Sequence, residues 1–184
     1  MRAGPRPPTA ARRRTVASPL GPLTLTAAGG VLAGLEWGPP ADAGGGEAGD
    51  DGGGEAVLDR AAAALAAYFA GRPLPPDAAP VPAGTPYQQR VWQAMAAIPF
   101  GATLTYGALA ARLGSGPRAV AMACARNPIP ILIPCHRVVG AAGLGGYSGG
   151  AGPATKRWLL AHEQRHARLG RSGPAAGVQA AAPA

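Results

Sequence analysis

The sequence predicts an α+β protein in two parts, a small antiparallel sheet unit followed by a mainly helical one. Three observations lead there. Short alternating or β-branched runs lie between Thr15 and Trp37, apolar residues at helical spacing dominate after Tyr87, and a Pro-rich stretch separates the two regions. With 184 residues, 47% of them apolar, the chain can build one good-sized core or a tight pair of smaller ones.

The elements are taken in chain order. Residues 1–14 are Arg- and Pro-rich without acids, and read as a disordered basic tail in which Pro5, Pro7 and Pro8 oppose a helix. Thr15–Ala17, Leu23–Thr26 and Val31–Trp37, separated by Pro-Leu-Gly-Pro and Gly29-Gly30, read as a meander. Residues 38–55 are rich in Gly and Asp and have little to bury, so a mobile loop is expected. A helix is predicted over Val57–Ala70, stopped by Gly71, completing a first unit over 15–76. The boundary is placed in the Pro-rich linker from Pro73 to Pro86, and the second unit spans 77–168.

Within the second unit, Val91, Met95 and Ile98 mark a helix over Tyr87–Ile98, stopped by Pro99-Phe100-Gly101. Thr105 reads as the N-cap of a helix over Tyr106–Leu113, and Ser115-Gly116-Pro117 opens another over Pro117–Arg126. Two short helices joined by a Gly-containing turn are consistent with a helix-turn-helix. Ile129–Ile133 is apolar between two prolines and reads as a buried, extended anchor for the three residues after Pro134. A last helix is expected over Thr155–Ala167, and residues 169–184 read as a disordered tail.

Gly at 29, Pro at 21 and 16 Arg against the single Lys156 suggest GC-rich coding, so isolated Ala, Gly or Arg residues carry little weight. The distribution of charge is more informative. Residues 1–77 net −1, whereas residues 78–184 net +9 with Glu163 as their only acid. A half nearly free of carboxylates suits a polyanionic partner, although a codon-biased basic surface would read the same. The two cysteines, Cys124 and Cys135, make no secreted disulfide framework, which favours a reducing, cytoplasmic setting in a bacterial-type chain, or a nucleus in a eukaryote. No apolar run is long enough for a membrane span, and the opening lacks a secretory h-region. Cys and His spacings match no zinc site, and the Gly-rich stretches match no phosphate loop, so no metal and no cofactor are expected.

The chemistry concentrates in Pro134-Cys135-His136-Arg137-Val138-Val139. A thiol beside an imidazole and a guanidinium can have its pKa pulled below its usual value, which raises the thiolate fraction and makes the environment of a nucleophile; the alternative is that Cys135 is a small buried hydrophobe, a reading that suits Cys124 among its alanines. Glu163 is the one acid in this half that can orient His136, so Cys135, His136 and Glu163 form a relay on paper; a solvated Glu beside His162 is the other reading.

At this point the chain resembles the O6-alkylguanine-DNA alkyltransferases, also called methylated-DNA-protein-cysteine methyltransferases. The resemblance runs from Tyr87 to Glu163 through Val91-Trp92-Gln93-Ala94, Ile98-Pro99-Phe100-Gly101, Thr105-Tyr106, Arg118-Ala119-Val120, Asn127-Pro128, Ile133 to Val139, Gly146 to Gly150 and Lys156 to Leu160. It implies a ribonuclease-H-like sheet unit ahead of an all-helical winged helix-turn-helix. It also implies irreversible, single-turnover transfer of an alkyl group from O6-alkylguanine, with O4-alkylthymine as a further substrate, onto Cys135. His136 would be the base acting through a water, Glu163 its orienting partner and Asn127 the support of the active-site turn. Tyr106 and Ser148 would contact the extruded guanine, Tyr147 would wall the pocket, and Arg118 would take the place of the flipped nucleotide in the stack. Ala119 and Ala121 would keep the helix face small against the minor groove, and Arg137 is grouped with the residues meeting substrate or DNA. The implied partner is double-stranded DNA bound by a monomer. Less similar features are the N-terminal half, which lacks the zinc ligands of some relatives, and Met122, bulky for a groove-facing helix. A lesion-binding module without transfer would lack Cys135; a transcriptional regulator would carry an effector domain; a cysteine hydrolase would show turnover.

Overall fold

The computed structural model describes residues 11–40, 53–74 and 82–171. The tail before residue 11, most of the Gly-rich loop, the centre of the Pro-rich linker with the expected unit boundary, and the C-terminal tail lie outside the described residues. Strands β1 (Arg12–Val16), β2 (Leu23–Ala28) and β3 (Val31–Trp37) form the expected antiparallel meander in the order β1-β2-β3, with a bulge at Thr26/Ala27. Helix α1 (Gly53–Phe69) covers one face of this sheet, burying Val57, Leu58, Ala61, Ala64, Leu65 and Tyr68 at helical spacing against Leu23, Leu25, Leu32 and Leu35.

Two boundaries differ from expectation. Strand β1 starts inside the Arg run that was read as tail, because Arg12 and Arg14 project from one face of the strand and pair with α1: Arg12 with Glu55, Arg14 with Glu55 and Asp59. For the same reason α1 begins at Gly53, within the stretch expected to be loop: Glu55 carries both contacts from its first turn.

The second region contains α2 (Pro86–Ala96), α3 (Tyr106–Arg112), α4 (Pro117–Ala125) and α5 (Pro153–Arg171). Thr85 and Gln88 cap α2 reciprocally, a capping box missed when Pro86 was assigned to the linker. Thr105 caps α3 as expected, its hydroxyl accepting from the Ala108 amide, and Gly116 with Pro117 opens α4. A short parallel pair, β4 (Leu104–Thr105) with β5 (Val138–Val139), was not anticipated. It ties the start of α3 to the segment just after Cys135. Helix α5 extends past Ala167 into the stretch read as tail.

The Ile129–Ile133 run is buried as predicted but is not extended. It closes a turn in which the Ile133 amide donates to the Ile129 carbonyl, and Ile131 has φ +71°. Left-handed backbone in a β-branched residue costs on the order of 1–3 kcal/mol and persists only where the surroundings impose it. The core is continuous across both regions, from Leu23 of β2 through Val91, Leu109, Val120 and Ile131 to Leu159 of α5. The Leu35 amide donates to the Pro128 carbonyl, so strand β3 braces the strained turn directly.

Candidate active site

Asn127 imposes the turn. Its amide nitrogen donates to the Ile133 carbonyl at 2.8 Å and its oxygen accepts from the Ile129 amide at 3.1 Å, closing the loop from both ends. Pro134 comes next, and Cys135–Arg137 form one turn of 3-10 helix. Cys135 is thereby presented, 8% exposed, to a cavity of about 830 Å³ lined also by Asn127, Tyr106, Ala121, Tyr147 and Ser148. Six of the residues expected at the site therefore meet in one cavity.

The thiol is not poised as the sequence suggested. Burial pushes the Cys135 pKa up and outweighs the opposing hydrogen bond from Asn127, the positive charge of Lys156 and the nearby backbone amides. Burial therefore favours the protonated thiol. The cation acting on it is Lys156, which is buried and donates to the Val138 carbonyl at 2.6 Å and the Gly146 carbonyl at 3.2 Å, and lies 5.7 Å from the centre of the Tyr106 ring. Sequence reasoning saw Lys156 only as part of a motif. Its being the single lysine in an Arg-rich chain was the available signal.

Arg137 requires a correction, because it is 4% exposed and turned away from the cavity. Its Nε and Nη2 donate to the Glu163 carboxylate at 3.0–3.1 Å and its Nη1 to the Ile98 carbonyl at 2.6 Å. A guanidinium buried in a bidentate pair with Glu163 is not presented to DNA.

Glu163 is fully buried, not solvated, and gathers every polar group around it. Besides Arg137 it accepts from His136 Nε2 at 2.6 Å, from the Tyr68 hydroxyl at 3.0 Å and from the Gly101 amide at 2.9 Å. Gly101 is required there: its φ is +78° and a Cβ would lie 2.6 Å from Ala167. Burial would raise the Glu163 pKa, but the His136 hydrogen bond and the Arg137 charge prevail and hold it down to about 2. Burial lowers the His136 pKa against the pull of Glu163, leaving a neutral ring. With Nε2 donating to Glu163, Nδ1 carries the free lone pair, and it is buried without a partner among the described residues.

Tyr106 opens α3 and its hydroxyl is pushed up to about 12, chiefly by burial, so it remains a donor. Tyr147 packs edge-on to Trp37 at 6.3 Å, and its buried hydroxyl, raised by burial and by Cys135 beside it, has no hydrogen-bond partner among the described residues. Arg118 is exposed at the start of α4, Ala119 is half-buried outside the cavity, and Met122 is 56% exposed one turn after Arg118. Cys124 is buried, donates its thiol proton to the Met95 sulfur at 3.3 Å and lines the cavity too, beyond its expected role as filler. The wall formed by Leu35, Glu36 and Trp37 of β3 was missed altogether, since no local pattern links a strand in the first region to a loop more than 100 residues later. Among the described residues no group of three or more His, Cys, Asp or Glu could hold a metal ion.

The model of the 6-O-methylguanine DNA methyltransferase DNA-binding domain matches residues 86–165. A methylated-DNA–protein-cysteine methyltransferase of Mycobacterium tuberculosis is 40% identical over 169 residues, covering 84% of this chain and 93% of the relative. One from Salmonella typhimurium is 50% identical over 103 residues, covering 54% and 59%. The crystal structure of the M. tuberculosis O6-methylguanine methyltransferase aligns with a TM-score of 0.67 at 40% identity over 85% of this chain and 94% of that one. The M. tuberculosis protein in complex with DNA aligns equally well, at 42% identity over 84% and 94%. This chain belongs to the methylated-DNA–protein-cysteine methyltransferase family.

Proposed function

We propose that this chain repairs alkylated DNA by direct reversal, taking the alkyl group from O6 of guanine onto Cys135 once per molecule. The observation that carries the reading is a buried thiol facing a cavity, with a neutral imidazole behind it whose one free nitrogen has no other task.

The step balances without a cofactor. The Cys135 proton passes through a water to Nδ1 of His136, and the sulfur attacks the alkyl carbon as the carbon–O6 bond breaks. The bonding electrons move onto the purine, which leaves as guanine after taking up a proton, and Cys135 remains as a thioether. Because burial keeps the resting thiol protonated, His136 acts during the reaction instead of maintaining a standing thiolate. Tyr106, still a donor at neutral pH, stabilises charge developing on the departing base, with Ser148 of the cavity lining as a second contact. Glu163 keeps His136 in the required tautomer, and Asn127 maintains the turn that presents Cys135.

A cavity facing a buried thiol admits a base only when it has left the duplex. We read α3 and α4 as the helix-turn-helix of a winged unit that approaches the minor groove, with Arg118 entering the stack and Ala119 and Ala121 allowing close approach. The small residues and the exposed Arg118 support this. The meander with α1 is read as the ribonuclease-H-like unit, the chain as a monomer, and O4-alkylthymine as a second lesion for the same cavity. No helix among the described residues is long and apolar enough to cross a membrane.

Intact-mass measurement after incubation with a duplex containing one O6-methylguanine tests the reading. A single methyl gain, absent from Cys135→Ala and capped at one per chain, is expected. Tight lesion binding without mass gain, or more product than protein, would overturn it. A duplex carrying O4-methylthymine tests the second lesion in the same assay.

A further inference from the structure

The network around Glu163 contains one member that the relay does not need on paper. Tyr68 lies in the last turn of α1, in the first region of the chain, and is fully buried. Its hydroxyl donates to Glu163 Oε1 at 3.0 Å, the oxygen that also accepts from His136 Nε2 at 2.6 Å, and lies 3.4 Å from that nitrogen. Its position is fixed from several sides. The Tyr68 carbonyl accepts from His162 Nε2 at 2.9 Å, and the phenol ring sits edge-on to Phe69, Phe100 and His136.

We propose that Tyr68 is a positioning residue for alkyl transfer, through which α1 sets the orientation and basicity of His136. The inference rests on reading His136 as the base for Cys135. Tyr68 and His136 donate to Oε1 together with Nε and Nη2 of Arg137, so the carboxylate oxygen is pinned in place, which pins the imidazole and hence the direction of the Nδ1 lone pair. The Tyr68 hydroxyl also takes a share of the charge on Oε1. With that share removed, Glu163 attracts a proton on the imidazole more strongly. Besides Glu163, the charged groups acting on His136 are Lys156 of α5 and Arg137 of its own turn; the Cys135 thiol precedes it in the chain and His162 of α5 packs against Tyr68, and all of these are the same in wild type and variant.

Tyr68→Phe keeps the ring and removes only the donor. The rate of methyl transfer from an O6-methylguanine duplex falls on the acid side as His136 takes up a proton. A raised His136 pKa moves that limb to higher pH, by roughly one unit. Below both midpoints the variant is then about tenfold slower. Duplex affinity is unchanged, because Tyr68 has no surface. The imidazole 15N signals of His136, assigned with His136→Ala, titrate at a correspondingly higher pH. A limb and a His136 titration that both stay in place, even with uniformly slower transfer, would reduce Tyr68 to packing and sink the proposal. If His136→Ala itself retains the acid limb, the base reading fails, and the 15N titration of Tyr68→Phe still decides whether Tyr68 tunes His136. Should Tyr68→Phe not fold, uniform 3-fluorotyrosine labelling makes the phenol a stronger donor with little change in shape. The His136 titration must then move to lower pH, and an unmoved titration again overturns the proposal.

Discussion

Glu163 shows how much one buried carboxylate can organise. It neutralises Arg137, holds the His136 tautomer, receives Tyr68 and ties down the Gly101 turn. Removing its charge would leave a guanidinium buried without its counter-ion, a loss of about 3–5 kcal/mol. Glu163→Gln is therefore expected to unfold at markedly lower denaturant than the wild type at neutral pH. The pH dependence has a definite sign. The folded-state pKa is held down to about 2, below the roughly 4.3 of an unfolded glutamate. Its contribution is complete above the unfolded value and is lost as pH falls toward the folded one. The stability gap between wild type and Glu163→Gln should therefore narrow over that window in guanidinium unfolding series, and a constant gap would mean that the ionised pair is not what stabilises the core.

At the level of elements, the site is held by connections that cross the chain at long range. The β4–β5 pair brings the N-cap of α3 beside the residues just after Cys135, and Asn127 locks the turn between α4 and Pro134. Helix α4 presents Arg118 outward while Ala121 and Cys124 face the cavity, so on the proposed reading a single helix serves both the duplex and the pocket. Arg118→Ala should slow repair of O6-methylguanine within a duplex by tenfold or more, at about 1–3 kcal/mol for a lost stacking and phosphate-neutralising side chain. Reaction with the free O6-methylguanine base, which needs no flipping, should be unaffected. Equal losses on both substrates would place Arg118 in the pocket chemistry instead of in base extrusion.

The molecule as a whole couples its two regions through polar and apolar contacts alike. Tyr68 reaches Glu163, His162 reaches the Tyr68 carbonyl and stacks at 5.0 Å on Trp158, and Trp37 closes over Gly149 and Gly150. At Gly150 the indole nitrogen would lie 2.9 Å from an added Cβ, and φ is +54°, so this loop and the β3 strand fit only through glycine. With one core running through both regions, scanning calorimetry should show one transition whose calorimetric and van't Hoff enthalpies agree. Two resolved transitions would show that the regions fold as independent units.

The sequence by itself determined the meander order, the main helices, the cap at Thr105 and the opening of α4 at Gly116-Pro117, and it named Cys135, His136 and Glu163 as the candidates for nucleophile, base and the base's partner. These are local or compositional facts: periodicity, turn chemistry, a motif, and the scarcity of acids that left Glu163 as the single choice. Tertiary structure decided how those groups are used. Desolvation reversed the expected sign of the Cys135 pKa, and Glu163 drew Arg137 inward from the DNA-facing set. Lys156 became the cation acting on the thiol, and the Asn127 turn holds Ile131 out of the extended conformation its side chain prefers. Tyr68 and Trp37 joined the site from the other region of the chain. All of these depend on burial and on contacts across long sequence separations, and neither quantity exists until the chain has folded.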